Sequence, residues 1–483
     1  MSISSALSSA LSGLTASSRN AQVVSSNLAN ALTPGYATRE LELSTQGPGR
    51  GGVRVQGVIR KADAGLIGDR RMADASLAYS DVQAGFMADL ERLTGTPDAP
   101  GSLSSRVSVF EASLVTAAAK PEEETRLQAA VQRAGELAQS LNDLSRQIQN
   151  LRTEAETKIE RTVNDANTYL GQVEALNARI TDATNAGHPT ASFEDQRRVV
   201  IDKLAELIPV RMAPRDNGGV ALYTPGGAAL LDGRASELGF TASNVVMPHM
   251  TLAGGLLDGL TINGIDVPPS GDRSPVDGGR LAGLFELRDR LAPDAQTQLD
   301  AIARDLVTRF QAAGLDASRP PGTPGLFTDA GGAFDPVDEI GLSGRVTVNL
   351  AVDPDQGGMA WRLRDGLGAA APGAAGDATL LQALSAAFSA PTALTSGGLG
   401  STQRDISGHV SSMASHFGQK RLTLDQTVAF ATAHQAGLRE IELEQGVDTD
   451  AEMQKLLLIE QAYSANARMI RVIDDMVETL LRI

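Results

Sequence analysis

The sequence contains no cysteine, which excludes a disulfide framework and a thiolate metal site and suits an exported protein that travels unfolded. Aromatic residues make up 4% of the 483 positions, with Trp361 the single tryptophan. Cores must therefore come mainly from small aliphatic side chains. No run approaches the ~18 continuous apolar residues of a membrane span. The N-terminus has neither a basic n-region nor an apolar h-region, so no cleaved secretory signal peptide is expected. Positive charge is scarce too: 42 Lys and Arg stand against 58 Asp and Glu, a formal net charge of −16. Phosphate recognition needs concentrated basic side chains. The nearest thing to a basic patch is Arg70-Arg71, preceded by Asp69, so nucleic acid is not a partner.

What is abundant is Gly (49) and Pro (21), in a chain that is 42% apolar. That length has room for about two to four domains. The opening stretch carries one charged side chain, Arg19, before Arg39. Its apolar and small residues fall at Ile3, Leu7, Ala10, Leu14, Ser17, Ala21, Val24 and Leu28, the alternating spacing of a heptad seam. Thr33-Pro34-Gly35-Tyr36 stops it, because Pro34 cannot continue a helix and Gly35 can take the left-handed conformation that closes one. The chain ends on a second seam: Leu456, Ile459, Tyr463, Asn466, Ile470, Ile473, Val477 and Leu480. Gly446 ends the helix before it, and Thr449 to Glu452 reads as a capping box. At 1.5 Å per residue each seam covers roughly 36 to 38 Å. Matched length predicts that the two helices pair as a coiled coil, with Asn466 a polar core position that fixes register. Such a polar, small-residue helix is marginal alone, so both ends are expected to order only on assembly.

Between the ends the pattern changes several times. "RELEL" and "VRVQGVI" alternate as strands around "GPGRGG". A dinucleotide fingerprint needs a helix after its glycines; a strand follows here, so the glycines mark a turn. A helix starting at Pro121 keeps an unbroken apolar spacing from Leu127 to Ala155 and drifts on to Asn185, too long for an ordinary globular helix. A shorter helix, about Phe193 to Leu207, follows. From Pro209 to about Pro275 short strands alternate with Gly, Pro, Asn and Asp, and a second strand-like block lies between Phe327 and Leu367, including "GRVTVNLAV" and "AWRLRDG". A helix beginning near Arg280 separates the two, a loose small-residue stretch runs from Ala369 to Ser401, and helical spacing resumes at Ile406.

Catalytic and metal chemistry find little support. No G-x-S-x-G and no Walker loop is present. His409 and His416 share a heptad spacing without a third ligand nearby and read as surface histidines. "DPDQGG" at Asp353 to Gly358 imitates a calcium loop, but its twelfth position is Arg364 where a glutamate is needed. It reads as a turn between strands. Catalytic residues, metal and cofactors are each expected to be none.

Two long motifs carry a resemblance. "SSNLANALTPGYA" resembles the N-terminal signature S-x-N-[LI]-A-N-x-x-T-P-G-Y of the flagellar rod, hook and hook-associated proteins, and "AEMQKLLLIEQAYSANARMIRVIDDMVETLLRI" is similar to their C-terminal helix. The departure is Arg471 to Asp475, where T-x-D-E is commoner. The long segment after Pro121, "FEDQRRVVIDKLAEL" and "GGRLAGLFELRD" favour a hook-associated member. The resemblance implies a non-catalytic structural component of the bacterial flagellum, an adaptor ring at the hook–filament junction that polymerises through its terminal helices. It implies export by the flagellar type III apparatus to an extracellular site. Implied partners are other copies of the chain, the hook protein, a second hook-associated junction protein, and an export chaperone at the C-terminal helix. Assembly residues carry over to Asn27, Leu28, Asn30, Thr33, Pro34, Gly35 and Tyr36 in front. At the back they are Leu456, Ile459, Gln461, Tyr463, Asn466, Arg468, Ile470, Ile473, Val477 and Leu480. A distal-rod or hook protein, or a non-flagellar coiled-coil scaffold, would share these ends. The expected fold is mainly α with an inserted β-rich module. The terminal coil takes 1–55 and 440–483, a helical rod domain 56–205, 276–316 and 396–439, and a β-rich outer domain 206–275 and 317–395.

Overall fold

The computed structural model describes residues 3–46, 51–96, 99–271 and 273–482. The chain begins with helix α1 (Ile3–Ala29) and the antiparallel hairpin β1 (Arg39–Thr45) and β2 (Val53–Arg60). Helices α2 (Ala64–Thr94), α3 (Leu103–Ala119), α4 (Glu124–Asn185) and α5 (Ala191–Leu207) follow. Seven short strands come next: β3 (Arg211–Pro214), β4 (Val220–Tyr223), β5 (Ala229–Asp232), β6 (Arg234–Ala235), β7 (Leu238–Gly239), β8 (Leu260–Ile262) and β9 (Ile265–Val267). They form a four-stranded sheet, β3 to β6, and a three-stranded one, β7 to β9. Helix α6 (Gly279–Glu286) runs through a π turn (Leu287–Leu291) into α7 (Ala292–Gln311). Then come the pair β10 (Phe327–Asp329) and β11 (Val346–Val348) and helices α8 (Arg362–Asp365), α9 (Thr379–Ser389), α10 (Ile406–Glu444) and α11 (Thr449–Leu481).

Helix α4 is the spine. Its 62 residues make a rod of roughly 93 Å at 1.5 Å per residue, and two hydrophobic cores form along it. Leu127 to Ala155 pack into the first, with α3, α7, α9, the start of α10 and the β10–β11 region. Ile159 to Val173 pack into the second, with α5, α6 and β4 to β8. The β-bearing parts lie along different halves of α4, β10 and β11 in the first core and the earlier strands in the second. The "AWRLRDG" segment is the short helix α8 instead of a strand. Its Arg364 donates to the Pro121 carbonyl at 3.1 Å, and α4 begins three residues beyond that proline. The loose stretch after Ala369 contains α9, whose Phe388 is buried. Four of the eleven phenylalanines meet there: Phe110, Phe310, Phe327 and Phe388 stack with centroids 5.2 to 6.2 Å apart. Asp353 to Gly358 forms a single turn between β11 and α8, with the Asp353 carboxylate accepting from the Asp355 amide. His409 is buried, contrary to its surface reading; its Nε2 lies 2.9 Å from the Thr392 carbonyl and pins the incoming loop.

A buried ionic cluster lies where the two cores meet. Arg288 of the π turn pairs with Glu156 of α4 at 2.7 Å, both side chains fully buried. Arg152, one turn earlier on α4, donates to the carbonyls of Met247, Met250 and Arg288. Burial lowers the Arg152 guanidinium to about 10. The carbonyls and carboxylates around both arginines supply the acceptors that a buried cation requires.

Candidate functional site

The two terminal helices pack against each other, as the matched seams predict. Gly13 faces Asn466, so that a Cβ on Gly13 would stand 2.8 Å from its Nδ2. Asn27 faces Glu452. Residue numbers rise along one helix as they fall along the other, so the coil is antiparallel. Ala10 and Val24 are buried on α1, Ile459 and Ile473 on α11. Leu456, Asn466 and Ile470 are half-buried against α1. Tyr463, Val477 and Leu480 are exposed, as are Gln461 and Arg468 on other faces. The hairpin covers another side of α1, with the Val53 amide donating to Ser12 Oγ at 3.2 Å. Much of the "GPGRGG" turn lies outside the described residues.

Helix α11 also carries a second stripe. Leu458, Ala462, Ala465, Met469, Val472 and Met476 repeat the four-three spacing about a quarter turn away from the first seam. All are exposed, and Leu458, Met469, Val472 and Met476 are each more than half exposed.

The front motif builds the root of this coil. Asn27 is fully buried. Its Nδ2 donates to the Arg39 carbonyl at 2.9 Å and to Glu452 Oε2 at 3.0 Å. Its Oδ1 accepts from the Tyr36 hydroxyl at 2.8 Å and the Arg39 amide at 3.0 Å. One amide thus ties α1, the TPGY turn, the hairpin root and α11. Asn30 donates to the Ser26 carbonyl and Thr33 to Asn30 Oδ1, continuing the turn. Leu28 and Pro34 are exposed. The capping box is corrected here. Asp448 is the cap, accepting from the amides of Asp450 and Ala451, and Glu452 does not bond back to the cap: one carboxylate oxygen accepts from Asn27 and the other pairs with Lys455. The buried knot and the covering hairpin give the ends contacts that the seam spacing does not reveal.

Gly35 adopts φ 78°, and a Cβ there would strike Val199 and the Asp195 carbonyl of α5. The same face of α5 holds the next contacts. Asp195 takes Arg39 at 3.0 Å and Arg60 at 2.7 Å, the paired residues at the hairpin root. Two turns on, Asp202 pairs with Arg70 at 2.7 Å and Arg71 at 2.6 Å of α2. Arg70 also binds Asp74 and, on α10, Glu442, each at 2.5 Å. Arg198 pairs with Glu442 as well. Burial pushes Arg71 and Arg198 below the usual arginine range, with Asp202 opposing the shift. Sequence reading missed Asp195, Asp202 and Glu442. It noted Arg70-Arg71 only as a weak surface patch, although buried arginines need carboxylate partners. The spacing of Asp195 and Asp202 was the available signal.

Among the described residues, no group of three or more His, Asp or Glu is arranged to hold a metal. No helix there is long and apolar enough to cross a membrane. The geometry offers helix-pairing surfaces and a braced joint.

Comparisons with known proteins agree in kind. Residues 87–327 match the flagellar hook-associated protein FlgK helical domain. Residues 444–483 match the flagellar basal body rod FlgEFG protein C-terminal family, and 7–36 the flagella basal body rod protein family. The chain is 23% identical to flagellar hook-associated protein 1 of Bacillus subtilis, over 98% of this chain and 97% of that one. It is 25% identical to the Escherichia coli protein of the same name, over 66% of this chain and 59% of that one. Against the Salmonella typhimurium protein the identity is 26%, over 64% and 56%. These matches span less than two thirds of the two enterobacterial chains. The solved structure of the flagellar hook junction protein FlgK from Burkholderia pseudomallei aligns over 54% of this chain and 46% of that one, at 24% identity and a TM-score of 0.45. Family models thus cover both ends and the spine, and the relatives are flagellar hook-associated proteins by name. The chain belongs to the flagellar hook-associated protein 1 family.

Proposed function

We propose that the chain forms an adaptor ring at the junction between hook and filament and polymerises through its terminal helices. The observation that carries this reading is the second apolar stripe of α11. One seam is filled by α1 of the same chain, and the other is left open along Leu458, Met469, Val472 and Met476. Burying a Leu or Met side chain stabilises by about 1.5–3 kcal/mol, so a row of them favours a neighbouring copy. Homotypic contacts run between coils, and heterotypic ones to the hook protein below and a second junction protein above. The motif residues of α1 act one step back, since Asn27 and Tyr36 brace the coil that presents the stripe. Export uses the flagellar type III apparatus, and before assembly the same stripe of α11 is the docking surface for a chaperone. A chaperone complex that survives deletion of 449–483 would remove that part. The domain division assigns the coil and hairpin to the axis, the α4 spine to the rod domain, and the β-bearing parts to the outside.

Electron microscopy of cells lacking the protein, with flagellin assayed in the medium, tests the placement. Normal hooks, no filaments and flagellin lost to the medium are expected. The rod-protein descriptions of the terminal matches favour a second reading, a distal-rod or hook position. Missing or truncated hooks would establish that one instead, and intact filaments would exclude both.

A further inference from the structure

Residues 240–259 run between β7 and β8 without a strand or helix. Irregular loops of that length are uncommon inside a folded body and usually carry function. This one is tethered from beneath. Glu156 Oε2 accepts from the Ser243 amide at 2.8 Å and Thr153 Oγ1 from the Val246 amide at 3.1 Å, both on α4. Arg152 holds the carbonyls of Met247 and Met250, and Arg288 that of Asp258. Val246 and Leu257 are buried anchors, yet Val245, Met247 and Leu256 are 62, 48 and 52% exposed. Exposed Ile340 stands next to them, since a Cβ on its neighbour Gly341 would lie 3.1 Å from Pro248. From Thr241 to Leu257 there is no Asp, Glu, Lys or Arg, in a chain that is 21% charged.

A cleft of about 520 Å³ lies between α2, α4 and α6. Val82, Leu151 and Leu284 give it apolar lining, and its rim carries both signs, Asp81 on α2 against Lys158 on α4. Gly85 of α2 lines it too, with nothing within 4 Å of where a Cβ would stand. At 3.6 residues per turn, the loop's tethers on α4, Arg152, Thr153 and Glu156, lie roughly half a turn around the helix from the cleft residues Leu151, Glu154 and Lys158. Loop and cleft therefore occupy opposite flanks of the spine at one level. That is the layout of a heterologous contact, in which one surface of a copy fits a different surface of the next and a ring forms when the rotation closes.

We propose that neighbouring copies of the chain join at mid-spine, the 241–257 loop of one copy seating in the α2–α4–α6 cleft of the next. Charge selects a second copy as the occupant. Chains of net charge −16 repel each other, and an uncharged loop enters the cleft without adding to that repulsion or having to match a rim of both signs. The tethered backbone has little freedom left to lose on docking, and the side chains it presents are apolar and in water until then. The contact lies in the body of the chain, apart from the terminal helices. It rests on the reading that the chain polymerises, and not on its position in the flagellum.

The absence of native cysteine lets introduced pairs report the contact on filamented cells. Val245→Cys combined with Gly85→Cys, both exposed positions, should give a ladder of disulfide-linked multimers on a non-reducing gel after oxidation. Each single variant should stay monomeric, as should Val245→Cys with Thr116→Cys, which lies beside Arg126 near the start of α4. Filamented cells without a ladder would overturn the proposal. A dimer from Val245→Cys alone would overturn it by showing loop on loop, and an adduct to a different protein would overturn the choice of occupant. If the first pair itself stops filament growth, Met247→Cys with Asp81→Cys decides in its place. Gly85→Leu supplies a second readout: it fills the cleft from an exposed helical position that favours Leu over Gly, so the monomer's thermal midpoint should not fall while filamented cells drop roughly tenfold. An unchanged number of filaments in that variant would also overturn the contact. A wrong junction placement shows separately, as intact filaments in the deletion strain.

Discussion

At the residue scale, the front motif is a set of positions with separate physical duties. Asn27 uses both ends of its amide, two donors and one doubly accepting oxygen, in a site without solvent. We predict that Asn27→Ala costs about 1–3 kcal/mol, the range for stranding buried polar partners. Hydrogen exchange should show the loss first in the opening turns of α11, where Glu452 would keep Lys455 but lose its partner on α1. Gly35 is constrained twice, by φ 78° and by its contact with α5. We predict that Gly35→Ala destabilises the root by about 1–3 kcal/mol, read as faster proteolysis after Arg39. An unchanged cleavage rate would mean that the turn shifts freely. Leu28 and Pro34 match the same family pattern but are exposed, so their value lies outside the single chain.

At the element scale, α4 and α9 teach opposite lessons. The spine was legible because a repeat of apolar positions persists from Leu127 to Ile180. Helix α9 was not, because its eleven residues sit inside a stretch of Ala, Gly, Ser and Thr. Only its partners reveal its weight: Phe388 lies edge-on to Phe110 with centroids 5.2 Å apart. We predict that Phe388→Ala costs about 3–5 kcal/mol, seen as a lower first unfolding transition in calorimetry. The π turn supplies a comparable test. Glu156→Gln removes one of the two carboxylates paired with buried Arg288 and should cost about 3–5 kcal/mol. A change below 1 kcal/mol in the same experiment would show that Asp289, 2.8 Å from Arg288, suffices alone.

At the scale of the whole molecule, the chain separates what must be rigid from what must associate. Two cores share one spine, and a buried ionic cluster occupies the place where they meet. The coil extends from this body through two short connections and keeps apolar surface in reserve. We predict that Met469→Gln with Met476→Gln abolishes self-assembly in a polymerisation assay while leaving the monomer's thermal midpoint unchanged, because both side chains are exposed in the single chain. A fall in the monomer midpoint would place the stripe inside the fold instead.

The sequence by itself determined the helical ends, their pairing, the long spine and the family, because these rest on periodicity and on contiguous motifs that local chemistry enforces. It also determined the strands from Arg211 to Val267, where turn residues stand between short apolar runs. The tertiary structure alone decided which partners distant charges would find. Asp195, Asp202, Arg70 and Glu442 are ordinary residues in an acidic chain until α2, α5 and α10 bring them together. It also decided that the two β-bearing parts belong to different cores, because that depends on where along a rod of roughly 93 Å each part returns to α4. Glu452 summarises the difference: its spacing from Thr449 is that of a cap, yet its carboxylate meets Asn27, 425 residues away in sequence. Local pattern fixes a helix and its faces, and only the closing of long loops chooses what those faces touch.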